Sequence, residues 1–193
     1  MTTDFKIVEE PKKPLAMHPK KFAMWIFAAS VGMLFASLTS AYIVRQAEGN
    51  WLLFNLPNLL YWTSGVIMVS SVTMQMAYYA AKKNMLDRVK SLIVMTMVLG
   101  MLFLVGQVFA WRELVAQSVY FVGNPSGSFL YVLTGLHGLH IVSAIIYLIL
   151  VLAAAYRFKI HSKSLDMIEM CTTYWHFLGG LWLYLFIFLL LNR

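Results

Sequence analysis

Long apolar runs alternate with short polar breaks along the whole chain. Five runs, over residues 22–44, 58–81, 91–111, 128–156 and 170–191, contain no Asp, Glu, Lys or Arg. Each is long enough for a helix that crosses a hydrocarbon core, which takes roughly 20 residues. An isolated strand in lipid would leave its backbone N–H and C=O groups unpaired, so each run is predicted to be helical. A transmembrane β-barrel would instead show strict alternation of apolar and polar residues, and these runs are continuous. The pattern therefore predicts an all-α integral membrane bundle of five transmembrane helices over residues 22–193, preceded by a polar tail over residues 1–21.

The breaks are short, and the one before the fourth run carries Gly123, Asn124, Pro125 and Gly127 as turn residues. Short connections make sequential helices antiparallel neighbours. Close helix approach in lipid favours Gly, Ala, Ser and Thr. Such residues recur at helical spacing: Gly32, Ala36 and Ser40 in the first run, Ser64, Ser71 and Gln75 in the second, Gly100 and Gln107 in the third. The fourth offers Thr134 and Gly138, and the fifth His176 with Gly179 and Gly180. Gly32, Ser71, Gly100, Gly138, Gly179 and Gly180 are the expected helix-packing positions.

Composition agrees with a membrane chain: 61% of the 193 residues are hydrophobic and 12% are charged. The net charge of +7 could suggest nucleic acid, but its distribution does not. Lys6, Lys12, Lys13, Lys20 and Lys21 precede the first run, Lys82, Lys83, Arg88 and Lys90 follow the second, and Arg157, Lys159 and Lys163 follow the fourth. Only Arg45, Arg112 and Arg193 fall on the opposite side. The positive-inside rule then puts the N-terminus in the cytoplasm and the C-terminus outside, which requires an odd number of spans. The tail carries Asp4, Glu9, Glu10, Pro11 and Pro14 rather than a compact basic region, so the first helix is expected to be retained rather than cleaved as a signal. The single cysteine, Cys171, permits no intrachain disulfide and reads as a small apolar core residue.

The candidate chemistry lies in three histidines at membrane depth: His137 and His140 in the fourth run and His176 in the fifth. Imidazole ligates haem iron or copper, and a three-residue offset puts His137 and His140 near one helix face. One reading is a membrane cytochrome with haem between His176 and His137 or His140. The other is that these histidines join helices by hydrogen bonds, donating from one ring nitrogen and accepting at the other. A transporter is disfavoured because every carboxylate lies outside the runs or at their edges, as Glu113 and Glu169 do. No phosphate-binding loop, Ser/His/Asp order or zinc-protease motif is present, so no catalytic residue is assigned.

The segment Thr134-Gly135-Leu136-His137-Gly138-Leu139-His140 and the pair Tyr174-Trp175-His176-Phe177 and Leu181-Trp182-Leu183 carry a resemblance. In order and separation they are similar to the T-G-x-H-x-x-H and Y-W-H-F-x-D-x-x-W-L motifs of subunit III of cytochrome c and quinol oxidases. Weaker matches are Trp25-Ile26-Phe27 with Ser30, Ser70-Ser71-Val72-Thr73, and Leu99-Gly100 with Phe103 and Gln107. The chain resembles this haem-copper oxidase family from about residue 21 to 191, in its short five-helix form. Val31, Ala110 and Gly179 stand where the family often has acidic residues.

The resemblance implies a non-catalytic subunit of a respiratory oxidase that reduces O2 to water with proton translocation, with cytochrome c oxidase preferred over quinol oxidase. It implies haem and copper in partner subunits and none in this chain, direct packing against subunit I, and proximity to subunit II and other oxidase subunits. Bound phospholipid and a bacterial inner-membrane location also follow. His137, His140, His176, Gln107 and Trp175 are then expected to form a structural polar network inside the membrane.

Overall fold

The computed structural model describes residues 19–157 and 165–192. These contain five helices: α1 Pro19–Ala47, α2 Asn58–Lys82, α3 Leu86–Ala116, α4 Pro125–Tyr156 and α5 Asp166–Leu191. Most of the polar tail and its lysines, and the basic positions Lys159 and Lys163, lie outside the described residues.

Helix ends follow local chemistry. The side chain of Asn124 caps α4 by accepting from the backbone N–H of Ser126 at 3.0 Å, with Pro125 in the first turn. The ends of α2 and α3 both turn through a left-handed residue, Asn84 at φ 54° and Ser118 at φ 63°. In each, paired backbone bonds close the last turn: Met85 N–H to Ala80 O and Asn84 N–H to Ala81 O, then Val119 N–H to Leu114 O and Ser118 N–H to Val115 O.

α2, α3, α4 and α5 form a closed ring in which each helix contacts the next, and α1 lies across the α4–α5 seam. The buried positions of α1, Ala28, Val31, Phe35, Thr39 and Tyr42, recur at three- and four-residue spacing, which is the narrow stripe expected of a helix packed on one side. Lys21 at the start of α1 reaches Glu169 at 2.9 Å and Asp166 at 3.2 Å at the start of α5. At the other end the Tyr42 hydroxyl donates to the Asn192 carbonyl at 2.9 Å. α1 and α5 therefore run parallel, with the intervening chain reversing between them.

α1, α3, α4 and α5 are long and apolar enough to cross a membrane. α2, at 25 residues, is not among them. Thr63, Ser64, Ser70, Ser71, Thr73 and Gln75 dilute its apolar character, and these polar groups turn largely towards the ring rather than outward.

Gly100 and Gly179 sit at the tightest of the expected packing positions. A Cβ on Gly100 would stand 2.7 Å from the Trp175 ring, and one on Gly179 would stand 2.9 Å from Ser71 Oγ. Gly138 and Gly32 make only ordinary contacts, with Leu104 and Phe177. Two expectations need correction. Gly180 faces open space, because α5 buries Leu178, Gly179 and Trp182 and turns residue 180 outward. The Gly32, Ala36 and Ser40 stripe lies beside the buried stripe of α1, leaving Ala36 and Ser40 exposed.

Candidate functional site

The polar residues of the ring meet chiefly along the seam between α2 and α5. Trp175 donates its indole N–H to Ser70 Oγ at 3.1 Å, and Trp182, two helical turns on, donates to Ser64 Oγ at 2.8 Å. Both serines donate their own hydroxyl hydrogens within α2, Ser70 to Ile67 O and Ser64 to Leu60 O, each at 2.7 Å. Their lone pairs are thereby aimed at α5. The two indoles are almost completely buried, and the glycine at position 100 leaves room for the first. Burying a Trp N–H in lipid is costly without an acceptor, so each serine stabilises the large apolar ring that it receives.

Similar pairs join the other seams. Thr73 and Thr96 share a hydrogen bond of 2.8 Å between α2 and α3, and Trp111 donates to Thr134 Oγ1 at 3.0 Å between α3 and α4. Ser143 and Tyr174 meet at 2.8 Å between α4 and α5, and Thr39 and Tyr184 at 2.7 Å between α1 and α5.

The three histidines have separate surroundings. His176 Nε2 bonds Gln75 Oε1 at 2.9 Å. It lies beside a recess of about 150 Å³ that also borders Glu169, Thr172 and Thr173, and a second of about 410 Å³ beside Met24 and Trp25. His140 is half-buried and turns Nδ1 back to the Leu136 carbonyl of its own helix at 2.7 Å. His137 is fully buried among the rings of Phe35, Phe103 and Trp182, with centroids 6.4, 5.8 and 5.1 Å away. Neither ring nitrogen of His137, nor either polar atom of the Gln107 side chain, has a hydrogen-bond partner in the chain.

The expected single network is therefore a set of helix-to-helix pairs. Trp175 and His176 take part in it; His140 bonds within its own helix, and His137 and Gln107 stand apart. Sequence reasoning missed Ser70 and Trp182 as partners, and Gly106, whose missing Cβ accommodates Thr63. A signal was present in the seven-residue offset of the two tryptophans, which puts both on one face of α5. Among the described residues, no three His, Cys, Asp or Glu side chains gather as a metal ion requires.

The residues that build these seams fall within one continuous family match. The family described as cytochrome c oxidase subunit III matches residues 16–192. The chain belongs to that family. Among its relatives, a probable cytochrome c oxidase subunit 3 of Nocardia farcinica is 30% identical over 167 residues, 83% of this chain and 82% of the relative. A cytochrome c oxidase subunit 3 of Corynebacterium diphtheriae is 28% identical over 84% of this chain and 82% of its own length. A probable quinol oxidase subunit 3 of Staphylococcus saprophyticus is 25% identical over 86% of this chain and 85% of its own. As a subunit III of the haem-copper oxidases, the chain is a multi-pass membrane protein of the respiratory chain, and cytochrome c oxidase is the leading assignment. The indole–serine pairs between α2 and α5 are thus features of a subunit III bundle.

Proposed function

We propose that this subunit III acts without redox chemistry of its own, packing against the catalytic subunit I of an oxidase that reduces O2 to water with proton translocation. The observation that carries this reading is the character of the ring interior, where Trp, Phe, Ser and Thr side chains join helices and each histidine is engaged or enclosed. Haem between His176 and His137 fits this packing poorly. His176 turns to Gln75 on α2, while His137 lies level with Trp182, six residues and about 9 Å further along α5.

Five spans with the N-terminus in the cytoplasm remain the reading best supported by charge. Lys20, Lys21, Lys82, Lys83, Arg88 and Lys90 cluster at one end of the bundle, and Arg45 and Arg112 stand at the other. α2 would cross as the most polar wall of the ring, its serines and threonines bonded inward. A bacterial inner membrane suits this topology and the bacterial relatives.

The open recess of about 850 Å³ at the Arg45 end, between α1 and α4, would take part of a phospholipid. Ala41, Val44 and Phe129 offer apolar walls, with Asn124, Ser128 and Arg45, itself paired with Glu48 at 3.1 Å, at its edge. Val31 and Ala110 are buried apolar residues, so a carboxylate relay through those two positions is not available to this chain.

The test is to isolate the chain with its partners from native membrane in mild detergent and measure oxygen consumption. Oxygen uptake with reduced cytochrome c, in a preparation that contains subunit I, is the expected result. Uptake only with a quinol would reassign the donor, and a preparation lacking any oxidase subunit would overturn the proposal.

A further inference from the structure

We infer that the ring encloses an internal water site between α3 and α4, held by Gln107 and His137. Gln107 is 2% exposed and His137 is fully buried, and all four of their side-chain polar atoms lack a partner in the chain. Buried polar groups in native proteins are nearly always hydrogen-bonded, so four orphans at one level call for a ligand.

Two contacts across the α3–α4 seam place them at that level. Phe103 packs against His137 with ring centroids 5.8 Å apart, and Trp111 donates to Thr134 at 3.0 Å. Gln107 lies one turn from both Phe103 and Trp111 on the same face of α3. It therefore faces the interval from Thr134 to His137 on α4. Trp182 of α5 closes the layer against His137, and on the α2 side Thr63 packs against Gly106 beside Gln107.

Burial also limits what the ligand can be. The two side chains are hidden within this chain alone, so neither a partner subunit nor a lipid headgroup outside the ring can reach them. A small molecule that both donates and accepts is required, because an amide and a neutral imidazole each present a donor and an acceptor. Water meets that need where there is room for one molecule and two to four polar partners, and Gln107 and His137 supply the partners.

The direct test is a density map of the intact membrane complex at a resolution that shows ordered water. One or more waters bonded to Gln107 and His137 is the expected result. A dry layer, or a direct bond from the Gln107 amide to the His137 ring, would overturn the inference. Thermal stability of the complex supplies a second reading with Gln107→Leu, His137→Leu and the double variant. Shared water predicts that each single change lowers Tm and that the double change lowers it by less than the sum. Single changes that raise Tm, or strictly additive losses, would contradict it.

Discussion

Serine hydroxyls that accept from tryptophan indoles are the smallest units on which the bundle depends. Ser70→Ala leaves the buried Trp175 N–H without its acceptor, and Ser64→Ala does the same to Trp182. Interhelical hydrogen bonds in membranes average about 0.6 kcal/mol, with peptide values of about 1–2 kcal/mol, so each change should cost about 1 kcal/mol. Unfolding of the purified complex in mild detergent measures it. Gly100→Ala should cost more, since the new methyl meets a ring that is itself fixed by Ser70 and cannot move away cheaply. His176→Leu removes a bond to Gln75 and should reduce the amount of assembled oxidase while leaving its haem absorption unchanged; altered absorption with normal assembly would contradict the structural role. At this scale the sequence was only partly legible. Small residues and histidines announce close approach and polarity, but they do not say which of them meet. His137 and His140 sit three residues apart, yet one enters an aromatic enclosure and the other bonds its own helix.

Helices were legible from the apolar runs because lipid leaves the backbone no alternative that satisfies its polar groups. All five runs lie inside the observed helices, which extend past them into polar flanks, as α3 does from Leu86 to Ala116. The turn signals were less complete. Gly123, Asn124 and Pro125 mark the start of α4, whereas the ends of α2 and α3 rely on Asn84 and Ser118 in left-handed geometry. Serine carries a Cβ that this geometry disfavours, by roughly 1–2 kcal/mol. Ser118→Gly should therefore stabilise the end of α3 by up to about 1 kcal/mol, after the added chain entropy of glycine is subtracted, and thermal unfolding would show it as a raised Tm. The salt bridges of Lys21 at the starts of α1 and α5 are partly exposed, so Lys21→Met should change stability by less than about 1 kcal/mol. α1 is the element whose face was misread. Its Gly32, Ala36 and Ser40 repeat has helical spacing, but Phe35 and Tyr42 on the adjoining stripe take the ring contacts because they bury far more area.

For the molecule as a whole, a ring of α2 to α5 braced by α1 presents an apolar exterior and an interior filled by side chains. On the proposed reading, the chain would serve the oxidase through its apolar exterior and its tightly joined ring of helices, with the redox groups held by other subunits. The all-helical class and the family were open to reading because long apolar runs and two motifs suffice for them. Ring closure was not, since contacts such as Trp175 to Ser70 join positions over a hundred residues apart. The central claim is that the redox groups of the complex belong to other subunits. Reduced-minus-oxidised spectra, recorded on the complex from native membrane and again after this chain is separated, test it most directly. The account predicts that haem and copper signals stay with a large partner and that the separated chain is colourless. Haem retained in proportion to this chain would contradict it and return His137, His140 and His176 to consideration as ligands.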